Sequence, residues 1–347
     1  MKKLLAILSS ALLLAACGTP SGDEQTQNGQ ADESKVQIYT TVYPLTYFTE
    51  RIGAEHVEVK SVYPAGANEH SFEPTQQDMI KLAEADLMFY VGLGLEGFIG
   101  KAKDTLKNEK VQFVAASDAI SDEELEAAAA PHEEDGHEED AHAEDTHEED
   151  GHEEDAHEDE AAAEEDGHEG HDHGATDPHV WMSPVLSQRL AESIKESLVE
   201  QDPDHAEDYE NNYDALVTEL EELDESFVAL SERVNNKTFF VSHSAFGYIS
   251  EPYGFEQIAV AGLNSQDEPS QKELTEIVDM AKEKKIQHIV FEQNVSSNLT
   301  EVIQKEVGAE AVEMHNLGVL TQENIDNEET YFTLMEKNLQ TLETILK

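Results

Sequence analysis

The sequence predicts an α/β protein of two lobes, each built on a central parallel-type sheet and joined to the other by one long rigid helix. Three observations lead there. From Val36 short strand-like runs alternate with helix-period segments; after a long polar interval the same alternation restarts near Thr238; and between the two lies one amphipathic stretch of about thirty residues without a breaker. Strands and helices taken in turn are the pattern of βαβ units.

Taken in order, VQIYTTV reads as a strand, Leu45 to Ile52 as a helix, VEVKSVY as a strand, Gln76 to Glu84 as a helix and LMFYVG as a strand. After Pro184 a helix runs to about Glu200. The spine follows, from about Asp204 to Val234, with Tyr209, Tyr213, Leu216, Leu220, Leu223, Phe227, Leu230 and Val234 at alternating steps of four and three. At 1.5 Å per residue it would be about 45 Å long, enough to run the length of a two-lobed protein. The second lobe reads as TFFVS, a helix from Ala245 to Tyr253, FEQIAVAG, a helix from Ser270 to Lys284, HIVFE, a helix from Asn298 to Val307, EAVEMH and a closing helix from Asn327. The expected division is a signal over 1–16, a tether over 17–35, one lobe over 36–184, helices including the spine over 185–235, and the second lobe over 236–347.

The leading segment carries Lys2 and Lys3 and then an apolar run from Leu4 to Ala16, too short for a comfortable bilayer span and arranged as an export signal. It ends in Leu14-Ala15-Ala16-Cys17-Gly18, which resembles a lipobox. Lipid modification of Cys17 would leave a chain anchored on the extracytoplasmic face of the cell membrane. Cys17 is the single cysteine of the 347 residues, so neither a disulfide nor a thiolate metal ligand is available to the folded part. The polar stretch from Gly18 to Ser34 has too little apolar surface to fold.

A formal net charge of −56, from 77 acidic and 21 basic residues, repels phosphate polyanions and excludes nucleic acid as a natural partner. Cations are the guests such a field favours. One insert, 131–174, is of low complexity: His132, His137, His142, His147, His152 and His157 recur every five residues among acidic runs, and His168, His171 and His173 follow. A five-residue step fits neither helix nor strand, so the insert should be a loop with weak auxiliary metal-binding capacity.

Outside the insert, three histidines sit beside turn-forming residues in PAGANEHSFEPT, TDPHVWMSP and FVSHSAFGY, namely His70, His179 and His243. Glu292 closes the strand-like run HIVFE. Ligands of open α/β sheets collect beyond the carboxyl ends of strands, so four such distant segments would converge in the cleft between the lobes. Imidazole nitrogen and carboxylate oxygen are ligands that Zn2+ accepts tetrahedrally when thiolate is absent. Four protein ligands close the shell against a water nucleophile, so binding is expected and catalysis is not.

The segments NEHSFEPT, DPHVWMSP, SHSAFGYISEPYGF, GLNSQDEPSQKEL and VFEQNVSS resemble, in order and spacing, those of the cluster A-I (cluster 9) substrate-binding proteins of zinc and manganese ABC importers. The resemblance covers most of the mature chain and is to the ZnuA- and AdcA-like zinc branch. It implies two α/β lobes bridged by a rigid helix with the metal between them, and metal ligands at His70, His179, His243 and Glu292. Glu69 is an alternative fourth ligand, since some relatives have looser carboxylate or water coordination there. Manganese and iron relatives typically carry Glu at the position of His243 and Asp in the final motif, so His243 and FEQN indicate zinc; a manganese or iron component is the alternative, and a surface adhesin, a label some members bear, a further one. The implied work is zinc capture by a monomer and delivery to the permease of an ABC-type importer, with the insert matching a His-rich loop of zinc members.

Overall fold

The computed structural model describes residues 34–128, 176–267, 269–293 and 298–347. The signal, the tether with Cys17, and the insert histidines from His132 to His173 lie outside the described residues.

The first sheet is formed by β1 (Val36–Thr40), β2 (Val57–Ser61), β3 (Leu87–Tyr90) and β4 (Gln112–Ala115), in the order β2-β1-β3-β4 and parallel throughout. The second contains β5 (Thr238–His243), β6 (Glu256–Ala261), β7 (His288–Glu292) and β8 (Glu310–Met314), in the order β6-β5-β7-β8, again all parallel. Each lobe therefore reverses its winding once, between β1 and β3 and between β5 and β7. Those switch points open a crevice beyond the carboxyl ends of the two strands that flank them. His243 and Glu292 are the last residues of β5 and β7, the two strands at the second lobe's switch point.

In the first lobe the helices are α1 (Tyr43–Gly53), α2 (Gln76–Ala83), α3 (Ile99–Leu106) and α4 (Asp122–Ala128). Next come α5 (Pro184–Gln201) and the spine α6 (Ala206–Arg233), followed in the second lobe by α7 (Gln271–Glu283), α8 (Asn298–Val307), α9 (Gln322–Asp326) and α10 (Tyr331–Ile345). The spine has 28 residues, about 42 Å at 1.5 Å per residue. Tyr209, Leu216, Leu220, Leu223, Phe227 and Leu230 are its buried face. It is fastened to α1 by Arg51 pairing with Glu219 and by Asn212 Nδ2 donating to the Ile52 carbonyl at 3.0 Å. Toward the second lobe, Tyr253 Oη donates to Asp224 at 2.5 Å.

A second tie crosses back. Tyr331, the first residue of α10, is fully buried against Phe48 of α1, with ring centroids 5.0 Å apart, and its hydroxyl donates to the Trp181 carbonyl at 2.9 Å. One apolar core runs from Val36 to Leu346 through both lobes, and a smaller one, with Phe240, Ile289 and Ile303, lies under α7 and α8.

Three readings from sequence differ. The helix expected from Ala245 to Tyr253 is two 3-10 turns, Gly247–Ile249 and Glu251–Tyr253; Pro252 disfavours helical backbone before it, and left-handed Gly254 ends the segment. The closing helix expected from Asn327 starts later, as α10 at Tyr331, with the short α9 ahead of it, because Glu328 has φ 55° and Thr330 caps the helix with a capping box to Thr333. Short segments α3, β4 and α4 complete the first lobe without a periodic signal of their own.

Replacing Tyr331 by Ala removes an aromatic side chain shared by the two lobes and should cost about 3–5 kcal/mol in urea unfolding. Tyr331→Phe, which loses only the hydroxyl and its hydrogen bonds to the Trp181 carbonyl and Ser187 Oγ, should cost about 1–2 kcal/mol.

Candidate metal centre

Each of the three histidines is held by its local sequence. Asn68 caps the turn before α2, its Oδ1 accepting from the backbone N–H groups of His70 at 3.1 Å and Ser71 at 3.2 Å, an Asx turn that fixes the path of the His70 backbone. The Asn68 amide also donates across the cleft to Ser265 Oγ at 2.9 Å. Asp177 does the same for the second histidine, accepting from the His179 N–H at 2.9 Å. Next comes the turn Val180–Met182, and then Ser183 caps α5 by accepting from Leu186 N at 3.1 Å, with Pro184 at the first helical position. His243 needs no turn, since it is the final residue of a buried central strand.

The three rings converge. His179 Nε2 lies 3.3 Å from His70 Nε2 and 3.4 Å from His243 Nε2. His179 and His243 are wholly buried, and His70 is half-buried at the outer side. Two of the rings are oriented from behind: His179 Nδ1 is 2.7 Å from Asp177 Oδ1, and His243 Nδ1 is 2.7 Å from Glu292 Oε1. A carboxylate at Nδ1 keeps the proton there and turns the Nε2 lone pair toward the common point, the arrangement found behind metal-bound histidines.

Among the described residues, the ligand atoms that all lie within 4.8 Å of one another belong to His70, His179 and His243. Glu292, the expected fourth ligand, stands behind His243. Its Oε1 accepts from Ser242 Oγ at 2.6 Å and from both His243 Nδ1 and the His243 backbone N–H, at 2.7 and 3.2 Å, and its Oε2 accepts from Asn316 Nδ2 at 3.1 Å. Glu69 is 2 % exposed and accepts at Oε1 from the same Asn316 Nδ2 at 3.0 Å. Its Oε2 is, among the described residues, the buried side-chain oxygen without a hydrogen-bond partner. A buried carboxylate oxygen left unpaired is costly unless a cation meets it, so this donor set suits a divalent metal.

The electrostatics follow from burial and charge. Desolvation, and then His179 and His243 close by, push the His70 pKa down to about 3. Burial opposes the His243 cation as well, but the Glu292 carboxylate outweighs it and raises the pKa. Burial raises the Glu69 pKa, whereas for Glu292 burial is overcome by His243 and the pKa is lowered.

A family model described as "Zinc-uptake complex component A periplasmic" (ZnuA) matches residues 38–345. The chain belongs to this family. It is 32% identical over 344 residues to the zinc-binding lipoprotein AdcA of Streptococcus pneumoniae (strain ATCC BAA-255 / R6), which covers 99% of this chain and 60% of that protein. The chain thus spans about three fifths of that relative's length. Against the high-affinity zinc uptake system protein ZnuA of Bacillus subtilis (strain 168), identity is 33% over 345 residues, 99% of this chain and 97% of the relative. The crystal structure of the Zn(II)-bound ZnuA-like domain of Streptococcus pneumoniae AdcA matches with a TM-score of 0.67 and 29% identity, over 90% of this chain and 99% of that one.

Within this ZnuA-family site, sequence reasoning missed Asp177, Ser242 and Asn316. Asp177 and Ser242 adjoin the histidines and could have been suspected from DPH and SH. Asn316 lies in His315-Asn316-Leu317-Gly318, just past β8, where an Asn-x-Gly turn after a strand was the available signal. Gly318 leaves room there for Glu69, whose Oε1 would lie 2.6 Å from a Cβ at that position.

In the metal-free protein, imidazole NMR resonances should report His70 neutral down to about pH 3, while His243 binds its proton at a pH above the ordinary imidazole value of about 6.5. Glu292→Gln should move the His243 titration downward; a His243 titration unaffected by the change would contradict the pairing.

Proposed function

We propose that this ZnuA-family chain is the extracytoplasmic receptor of an ABC importer, a monomer that takes one Zn2+ ion between its lobes and carries it to the membrane permease without chemistry of its own. The observation that carries the reading is the convergence of three buried or half-buried Nε2 atoms, two of them with a carboxylate behind the ring. Three nitrogens and one carboxylate oxygen make a tetrahedral set for zinc, whereas a harder ion such as Mn2+ prefers more oxygens. The fourth donor is one of the two carboxylates that Asn316 holds. Among the described residues Glu69 Oε2 has no partner to give up, while Glu292 would have to leave His243.

In this reading the lobes are residues 36–184 and 236–347, with 185–235 between them. Cys17 carries the lipid that keeps the receptor near its permease. The insert histidines hold further zinc weakly and supply the cleft. Among the described residues, no helix is long and apolar enough to cross a membrane.

Competition against a zinc chelator should find one tight zinc per chain. His179→Ala should abolish it, because removing a buried nitrogen donor opens the shell, and Asp177→Ala should weaken it by about 10–100-fold. His243→Glu should move the preference toward manganese. Comparing Glu69→Gln with Glu292→Gln identifies the fourth donor as the one whose loss costs more. No tight zinc in the unaltered chain would refute the reading.

A further inference from the structure

Asn316 is 3 % exposed and lies at the centre of the buried polar groups beside the three imidazoles. Its Oδ1 accepts from the Gly318 N–H at 3.0 Å, which sets the amide orientation and directs Nδ2 at the carboxylates. The two hydrogens of Nδ2 are divided between Glu69 Oε1 at 3.0 Å and Glu292 Oε2 at 3.1 Å, one carboxylate from each lobe. The backbone of Asn316 is itself anchored, since its carbonyl accepts from the buried Trp181 indole N–H at 2.7 Å. Thus four carboxylate oxygens face this region, and their partners are unequal. Glu292 Oε1 is taken by Ser242 and His243, Glu292 Oε2 and Glu69 Oε1 by Asn316, and Glu69 Oε2 by none of the described groups.

We propose that Asn316 is a positioning residue that sets the metal selectivity of the cleft, by holding one oxygen of each carboxylate away from the ion so that the site offers three nitrogens and a single oxygen. This rests on the cleft being the metal site of the proposed function. Tetrahedral coordination with few oxygens fits zinc, while manganese takes about six ligands, mostly oxygen. Without the Asn316 amide, Glu69 Oε1 and Glu292 Oε2 lose this donor and can turn toward the ion, Glu69 then through two oxygens. The coordination number rises and the discrimination against the harder ion falls. The backbone amide of Gly318 and the bare Cα of that glycine serve the same end, the first by orienting Asn316 and the second by leaving room for Glu69.

The test uses the full chain with less than one equivalent of Co2+, whose visible absorption is intense in a tetrahedral site and weak at higher coordination, together with zinc against manganese competition. The unaltered chain should give the tetrahedral spectrum. Asn316→Ala should weaken it and reduce the zinc-to-manganese preference by about tenfold or more. Asn316→Ser, which keeps one small donor in the same place, should lie between the two. A folded Asn316→Ala variant with the unaltered spectrum and preference would overturn the proposal. So would loss of folding in both variants, which would make Asn316 a structural residue. If the unaltered chain itself lacks a tight tetrahedral site, it is the underlying zinc reading that fails, a distinct result.

Discussion

Three imidazole nitrogens brought together in a desolvated gap, that of His179 lying 3.3 Å from His70 and 3.4 Å from His243, are the constraint on which the rest of this structure depends. Left alone, such rings would turn aside. What prevents it stands behind two of them, where Asp177 and Glu292 hold Nδ1 of His179 and of His243 and so fix the rings, while burial keeps His70 neutral. The donors are therefore arranged before any ion arrives. An ion entering such a site spends little of its binding free energy on ordering side chains.

Preorganisation of this kind needs lobes that stay put. The spine α6 is fastened at one end to α1 and further along to Tyr253, while α10 returns to bury Tyr331 against Phe48. Two separate ties and a core continuous through both lobes oppose the wide swing of a single hinge. Movement that admits or releases an ion is then local. It falls on the half-buried side of the site, where the His70 turn is joined to the opposite lobe through Asn68 and Ser265. Rigidity in the spine and adjustability at one turn are compatible, because the spine buries one face along its length whereas the His70 turn is only half-buried.

The sequence made the architecture readable because its periodic signals are long. Eight apolar positions along the spine leave one interpretation, and the strands ending in His243 and Glu292 are apolar enough to place both residues at strand ends. The clustering of the three histidines followed from their places beside turns and from the family resemblance. The orientation of Glu292 could not be read in the same way. Whether a carboxylate faces an ion or the back of an imidazole depends on donors from elsewhere in the chain, here Ser242, the His243 backbone and Asn316, and no spacing encodes them. Elements such as β4, four residues with a half-exposed pattern, lack enough period to stand out.

The same separation of long-range and short-range causes applies to the chemistry. A net charge of −56 raises the local concentration of every cation, magnesium and calcium as well as zinc, and salt screens it within about 8 Å under physiological conditions. Charge can hasten arrival, but it cannot choose. Choice has to come from donors at bonding distance, where nitrogen against oxygen and four ligands against six separate the ions. That places selectivity on a few buried atoms: three Nε2 nitrogens, two carboxylates, and the amide of Asn316 that decides how many of their oxygens remain available. An acidic exterior and a nitrogen-rich interior therefore do different work, and in the proposed function it is the interior that distinguishes zinc from the more abundant ions gathered outside.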